Sequence, residues 1–186
     1  MDEEALRAVT IGELTPYRTK VEIEDYNPAW PAWFASDRAN IEAALGPTVL
    51  SIEHVGSTSV PDLPAKPIID ILLQVADSAD EASYVAPLEA AGFTLRIREP
   101  EWLEHRVLQR RSEPHDVNLH VFSPRHAAGE IRRTLAFRDW LRAHEGDRNR
   151  YAATKIALST REWRYVQDYA DAKTAVIEEI LAKALT

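Results

Sequence analysis

At 186 residues, 45% apolar and 28% charged, the chain has the make-up of one folded domain rather than of a disordered segment. It contains no cysteine, which excludes disulfides, thiolate zinc sites and a thiol nucleophile. A formal net charge of −8 disfavours a long polynucleotide as partner, because duplex binding draws on a basic face.

Residues 1–19, opening on Asp2, Glu3 and Glu4 with little apolar periodicity, are expected to be an N-terminal tail, frayed or docked, and 20–186 a single domain. The acidic start does not fit a secretory signal, and no apolar run approaches the roughly 20 residues that span a bilayer, so a cytoplasmic protein without membrane contact is expected. Val21–Ile23 reads as a short strand. From Pro28 to about Leu45, Trp30, Trp33, Phe34, Ile41 and Leu45 recur at helical spacing, and Gly46-Pro47 ends the run. Trp30 and Trp33 are the expected core anchors.

Leu50–Val55 reads as a strand and 56–66 as a loop containing Pro61 and Pro64. Pro67–Val75 is the most apolar strand, suited to an interior position covered on both faces. Asp77–Ala91 reads as a helix capped by Asp77 or Ser78 and ended by Gly92. Phe93–Ile97, Arg106–Arg110 and Val117–Phe122 follow as strands. Glu130–Ala143, Arg148–Leu158 and Trp163–Leu185 are expected helices, the last with a stripe through Val166, Tyr169, Ala170, Lys173, Val176, Ile177, Ile180, Leu181 and Ala184. The fold class is therefore α+β: a mixed sheet flanked by helices, with a helical C-terminal third.

The chemically informative segment is His54-Val55-Gly56-Ser57-Thr58-Ser59, ahead of Asp70. A strand ending in Gly-Ser lets backbone approach a phosphate, with Ser57, Thr58 and Ser59 as donors and Lys66 adding positive charge. The alternative is a turn that needs glycine for its geometry and hydroxyls for local bonds. Asp70 stands among isoleucines and leucines, where a carboxylate requires a cation, a metal, a donor cluster or a structural arginine.

His54-Val55-Gly56-Ser57-Thr58-Ser59-Val60-Pro61 and Ala65-Lys66-Pro67-Ile68-Ile69-Asp70-Ile71 closely resemble the GrpB family, as do Asn118-Leu119-His120-Val121-Phe122, Phe137-Arg138-Asp139-Trp140-Leu141-Arg142-Ala143-His144, Tyr151…Lys155…Leu158 and Tyr169…Lys173…Ile177. The resemblance covers nearly everything from Val21 onward. It implies a fold similar to the nucleotidyltransferase superfamily, and a nucleotide or phosphorylated metabolite bound at the Gly56-Ser57 turn. Related domains fused to dephospho-coenzyme A kinase imply a link with adenine-nucleotide or coenzyme A metabolism.

In the superfamily pattern, an acidic pair at i and i+2 on one strand shares divalent Mg or Mn. Here the positions read Asp70, Ile71, Leu72, so the second carboxylate is missing; if Asp70 were the second member, position 68 would have to be acidic, and it is Ile68. The family pattern also has a histidine where Asn118 stands. Two functions follow: metal-dependent nucleotidyl or phosphoryl transfer with Asp70 and His120 as catalytic residues, or a catalytically inactive nucleotide-binding or regulatory module. The metal set under the first is Asp70, His54, Asn118 and His120, against a metal-free histidine hydrogen-bond network. Arg138, Lys155 and Lys173 are further candidates for holding phosphates, each with a solvated or salt-bridged alternative.

Overall fold

The computed structural model describes residues 3–14 and 19–186; the remaining residues of the expected tail, and the side chains of Thr19 and Val166, lie outside the described residues. Five strands make the central sheet: β2 (Ser51–Val55), β3 (Ile68–Gln74), β4 (Thr94–Glu99), β5 (His105–Arg110) and β6 (Asp116–Phe122). They lie in the order β2-β3-β6-β5-β4, antiparallel except for the parallel β3–β6 pair. The helical third comprises α4 (Pro124–Ala143), α5 (Glu145–Ser159), α6 (Val166–Asp171) and α7 (Thr174–Ala184), and the layout is the α+β arrangement that the sequence predicts.

One face of the sheet carries Ile69, Ile71, Leu73, Leu119 and Val121 into the main core, beneath α2 (Trp30–Leu45) and α3 (Val85–Ala90). Trp30 is fully buried there, as expected of an anchor. Trp33 is half-buried and stacks on His115 at 4.8 Å, where it closes a polar clamp. In that clamp the buried Asp37 of α2 binds Arg110 and His115, each at 2.7 Å, fixing α2 to the β5–β6 hairpin.

The other face is covered differently. Val55, Leu72 and Phe122 pack under Ala127 and Ile131 of α4, but Asp70, Asn118 and His120, at alternate positions on β3 and β6, remain partly open. Full cover of β3 on both faces, expected from its apolar run, is thus limited on this side to Leu72.

Several boundaries differ from the sequence reading. Val21–Ile23 is not a strand; β1 is Thr19–Lys20 and pairs antiparallel with β7 (Glu162–Trp163), while Glu24 bridges Ala65. The expected helix over 77–91 is reduced to α3, because Asp77 closes a local turn by accepting from the Ala79 amide, and a 3₁₀ turn over Glu81–Ser83 intervenes. The expected helix over 163–185 breaks between α6 and α7 at Ala172 and Lys173. Near the N-terminus, α1 (Glu3–Val9) is helical and Thr10 bridges Ile97 of β4. Among the described residues no helix is long and apolar enough to cross a membrane.

Candidate functional site

The site begins where β2 ends. Gly56 has φ +67° and ψ −172°, a region that side chains other than glycine's hydrogen do not tolerate. A Cβ built there would stand 2.4 Å from Asp70 Oδ2 and 2.9 Å from Asp70 Cβ. Glycine is therefore required because the Asp70 side chain occupies the space beside it. The chain then tightens into a 3₁₀ turn over Ser57–Ser59, in which the amides of Ser59 and Val60 donate to the carbonyls of Gly56 and Ser57.

The strand register places the rest. Val55 opposes Asp70, which opposes Asn118, and Asn118 opposes Gln109. Asn118 Nδ2 donates to Asp70 Oδ1 at 2.9 Å, while Asn118 Oδ1 accepts from Arg111 at 2.8 Å and Gln109 at 3.2 Å. His120 Nε2 lies 3.9 Å from Asp70 Oδ1, too far for a hydrogen bond. Both side chains are open enough to meet a solute, at 29% exposure for Asp70 and 33% for His120.

Three cations act on this carboxylate through their charge. Lys66, Arg111 and Lys173 all interact electrostatically with Asp70, and burial pushes each below its ordinary pKa, Lys173 to about 8. Burial pushes the Asp70 carboxyl up, but His120, the Asn118 amide and Lys173 outweigh it and hold Asp70 below the usual carboxylate range. Lys173 stands at the break between α6 and α7, 4.5 Å above the Tyr169 ring. Ser57 interacts with the Tyr151 phenol, and beyond it a cavity of about 180 Å³ is walled by Gly56, Ser57, Phe137, Tyr151, Ile177 and Leu181, among others.

A family model described as GrpB protein matches residues 20–183. The chain belongs to the GrpB family. A UPF0157 protein of Halalkalibacterium halodurans is 53% identical over 182 residues, covering 98% of this chain and 91% of that protein. The crystal structure of conserved protein GrpB from Enterococcus faecalis superposes with a TM-score of 0.77 at 30% identity, covering 88% of this chain and 97% of that one. A dephospho-CoA kinase of Mycolicibacterium paratuberculosis is 28% identical over 168 residues, which span 77% of this chain but 41% of the kinase.

Within this GrpB fold the residues singled out from sequence divide into two groups. Gly56, Ser57, Lys66, Asp70, Asn118 and His120 come together. His54 does not: it opposes Ile71 and so faces the other side of the sheet, where it stacks on Phe34 at 4.7 Å and bonds Thr58 Oγ1 at 3.0 Å. Burial holds His54 neutral, with a pKa pushed down to about 4. Thr58 and Ser59 spend their hydroxyls on the Ile68 and Gly56 carbonyls, the local bonding of a structural turn. Arg138 clamps α4 to β2 through Glu53 at 2.8 Å and the His54 carbonyl at 3.1 Å. Lys155, buried and pushed down to about 7, donates to the Pro64 carbonyl and holds the 56–66 loop onto α5.

The donor set does not fit a divalent metal. Among the described residues no three His, Asp or Glu side chains converge as a metal-holding group. Asn118 turns its amide N–H, not its oxygen, toward Asp70; Leu72 offers no ligand; and the surrounding lysines and arginine oppose a second cation. Sequence reasoning missed Glu99 and His105 at this face. Their signal was strand register, which brings residues from β4, β5 and β6 together only once the hairpins are paired.

Proposed function

We propose that this GrpB protein binds a nucleotide or other phosphorylated metabolite on the open sheet face beside the Gly56-Ser57 turn, without a divalent metal. The observation that carries the reading is the gathering of Lys66, Arg111 and Lys173 about one carboxylate, Asp70, in a chain whose net charge is −8. Such a local excess, with Lys66 and Lys173 half-buried and Arg111 exposed, favours a compact dianion over a dispersed surface. The apolar cavity on the far side of Ser57 offers room for a ring attached to the phosphate. The name of the dephospho-CoA kinase relative supports a ligand of the adenine-nucleotide class.

Calorimetric titration of ATP and dephospho-coenzyme A tests this, in chelator and with Mn²⁺. Binding is expected to survive chelation and to weaken about tenfold in Lys173→Met, the loss of one charge-assisted contact. Asp70→Asn, which removes a neighbouring negative charge, is expected to keep phosphate affinity or raise it. Absence of binding under every condition would overturn the reading.

A further inference from the structure

A chain of side chains crosses the sheet from its β4 edge to the site. Glu99 Oε2 lies 2.6 Å from His105 Nδ1, His105 Nε2 lies 3.1 Å from His120 Nδ1, and His120 Nε2 ends 3.9 Å from Asp70 Oδ1. The register explains the alignment. Glu99 opposes His105 across β4–β5, and His120 is the diagonal neighbour of His105 across β5–β6, all on one face. The imidazoles lie nearly parallel, 6° apart with centroids at 5.3 Å, and His105 also stacks on Phe122 at 4.4 Å. The loop between Glu99 and His105 places two consecutive non-glycine residues, Leu103 and Glu104, at positive φ. That backbone costs about 1 kcal/mol or more per residue, and packing of Leu103 against the α4 side of the sheet helps to hold it.

Hydrogen-bond polarity runs in one direction along this chain. The Glu99 carboxylate accepts, so His105 carries its proton on Nδ1. His105 is buried and its pKa is pushed down to about 4, so its Nε2 is a bare acceptor at neutral pH. His120 must then donate from Nδ1, which leaves the Nε2 of neutral His120 as a lone pair turned toward Asp70. Two acceptors thus face each other across a gap too wide for a direct bond. What satisfies both is a pair of donors, one for each acceptor, and the charges of Lys66, Arg111 and Lys173 act on the same carboxylate.

We infer that the gap between Asp70 Oδ1 and His120 Nε2 is a diol subsite, taking a phosphorylated ligand that carries two neighbouring hydroxyls, one donating to each acceptor, and that Glu99 and His105 are positioning residues that fix His120 as one of the two acceptors. The inference rests on the phosphate reading above and adds the class of ligand: a polyol or sugar phosphate, or the ribose of a nucleotide.

The first test needs no ligand. Two-bond ¹H–¹⁵N correlations on histidine-labelled protein at about pH 8, well above the ordinary histidine range, report which ring nitrogen of His120 bears the proton. Nδ1–H is expected in the wild-type protein. In His105→Phe, whose ring keeps the stack on Phe122, His120 reverts to the Nε2–H form that unconstrained imidazole favours in water. A wild-type His120 protonated at Nε2, or unmoved by His105→Phe, would overturn the assignment, and the wild-type spectrum decides even if the variant does not fold.

The second test compares glycerol 3-phosphate with n-propyl phosphate, which as a dianion has no donor. Glycerol 3-phosphate is expected to bind about tenfold tighter and to shift the His120 Nε2 resonance upfield. Equal affinities with no Nε2 shift would overturn the diol subsite while leaving the phosphate site standing. Binding of neither would overturn both.

Discussion

Gly56 and Asp70 depend on each other atom by atom. Gly56→Ala puts a methyl group 2.4 Å from the Asp70 carboxylate at a φ that alanine resists, so a stability loss of at least about 1–3 kcal/mol is expected from the backbone alone, with displacement of Asp70. Urea unfolding reads the first effect and nucleotide titration the second. Asp37 holds the buried His115 and the largely buried Arg110 guanidinium on the opposite face. Asp37→Ala leaves Arg110 and His115 without their carboxylate and is expected to cost about 3–5 kcal/mol in the same unfolding measurement. His54 and His105 give a pH signature. Both have folded-state pKa values near 4 against an ordinary 6.5, so between those limits the unfolded chain binds more protons than the folded one. Stability is therefore full above about pH 6.5 and falls with acid, by roughly 3 kcal/mol per histidine by pH 4 at about 1.4 kcal/mol per pH unit. His54→Phe, which retains the stack on Phe34, is expected to flatten that acid slope in denaturation series across pH. At this scale the sequence made Gly56, Ser57 and Asp70 readable, because glycine before a hydroxyl and a carboxylate within an apolar strand each raise a question of geometry or charge. It did not make Glu99 and His105 readable: six residues apart and separately unremarkable, they become a pair only through the β4–β5 register.

Among elements, the strands were the most legible and the helical ends the least. Each central strand lies within a few residues of its apolar run, since burial on a pleated face imposes its pattern directly. Helix propensity over 77–91 and 163–185 was overridden locally, by the Asp77 turn in the first case and by the break at Ala172 and Lys173 in the second. The 56–66 loop is the element on which the site turns, and it is held from outside the sheet. Arg142 donates twice to the Ser59 carbonyl and Lys155 once to the Pro64 carbonyl. Arg142→Ala is expected to cost about 1–3 kcal/mol, the usual effect of stripping a partner from a part-buried acceptor. It should also loosen ligand binding at the turn without touching the ligand, which thermal melts and titration separate.

For the molecule as a whole, charge distribution matters more than charge total. A chain of net charge −8 repels anions at long range, yet it concentrates Lys66, Arg111 and Lys173 at one carboxylate. Phosphate binding should therefore respond weakly to ionic strength, since partly buried pairs are screened less than exposed ones. An affinity that falls steeply with added salt would instead place the anion on the outer surface.

The cation at the break between α6 and α7 has a mechanical meaning. Lys173 stands between the two C-terminal helices, whereas Asp70 and Asn118 belong to the sheet and Arg111 to its β5–β6 connection, so an anion gripped by both would act as a rivet between two layers laid down far apart in the sequence. The amides opening α7 should then exchange with deuterium more slowly when ligand is bound, although no ligand atom touches them. The helical C-terminal third of this chain is then the part of the protein that would register whether the site is full.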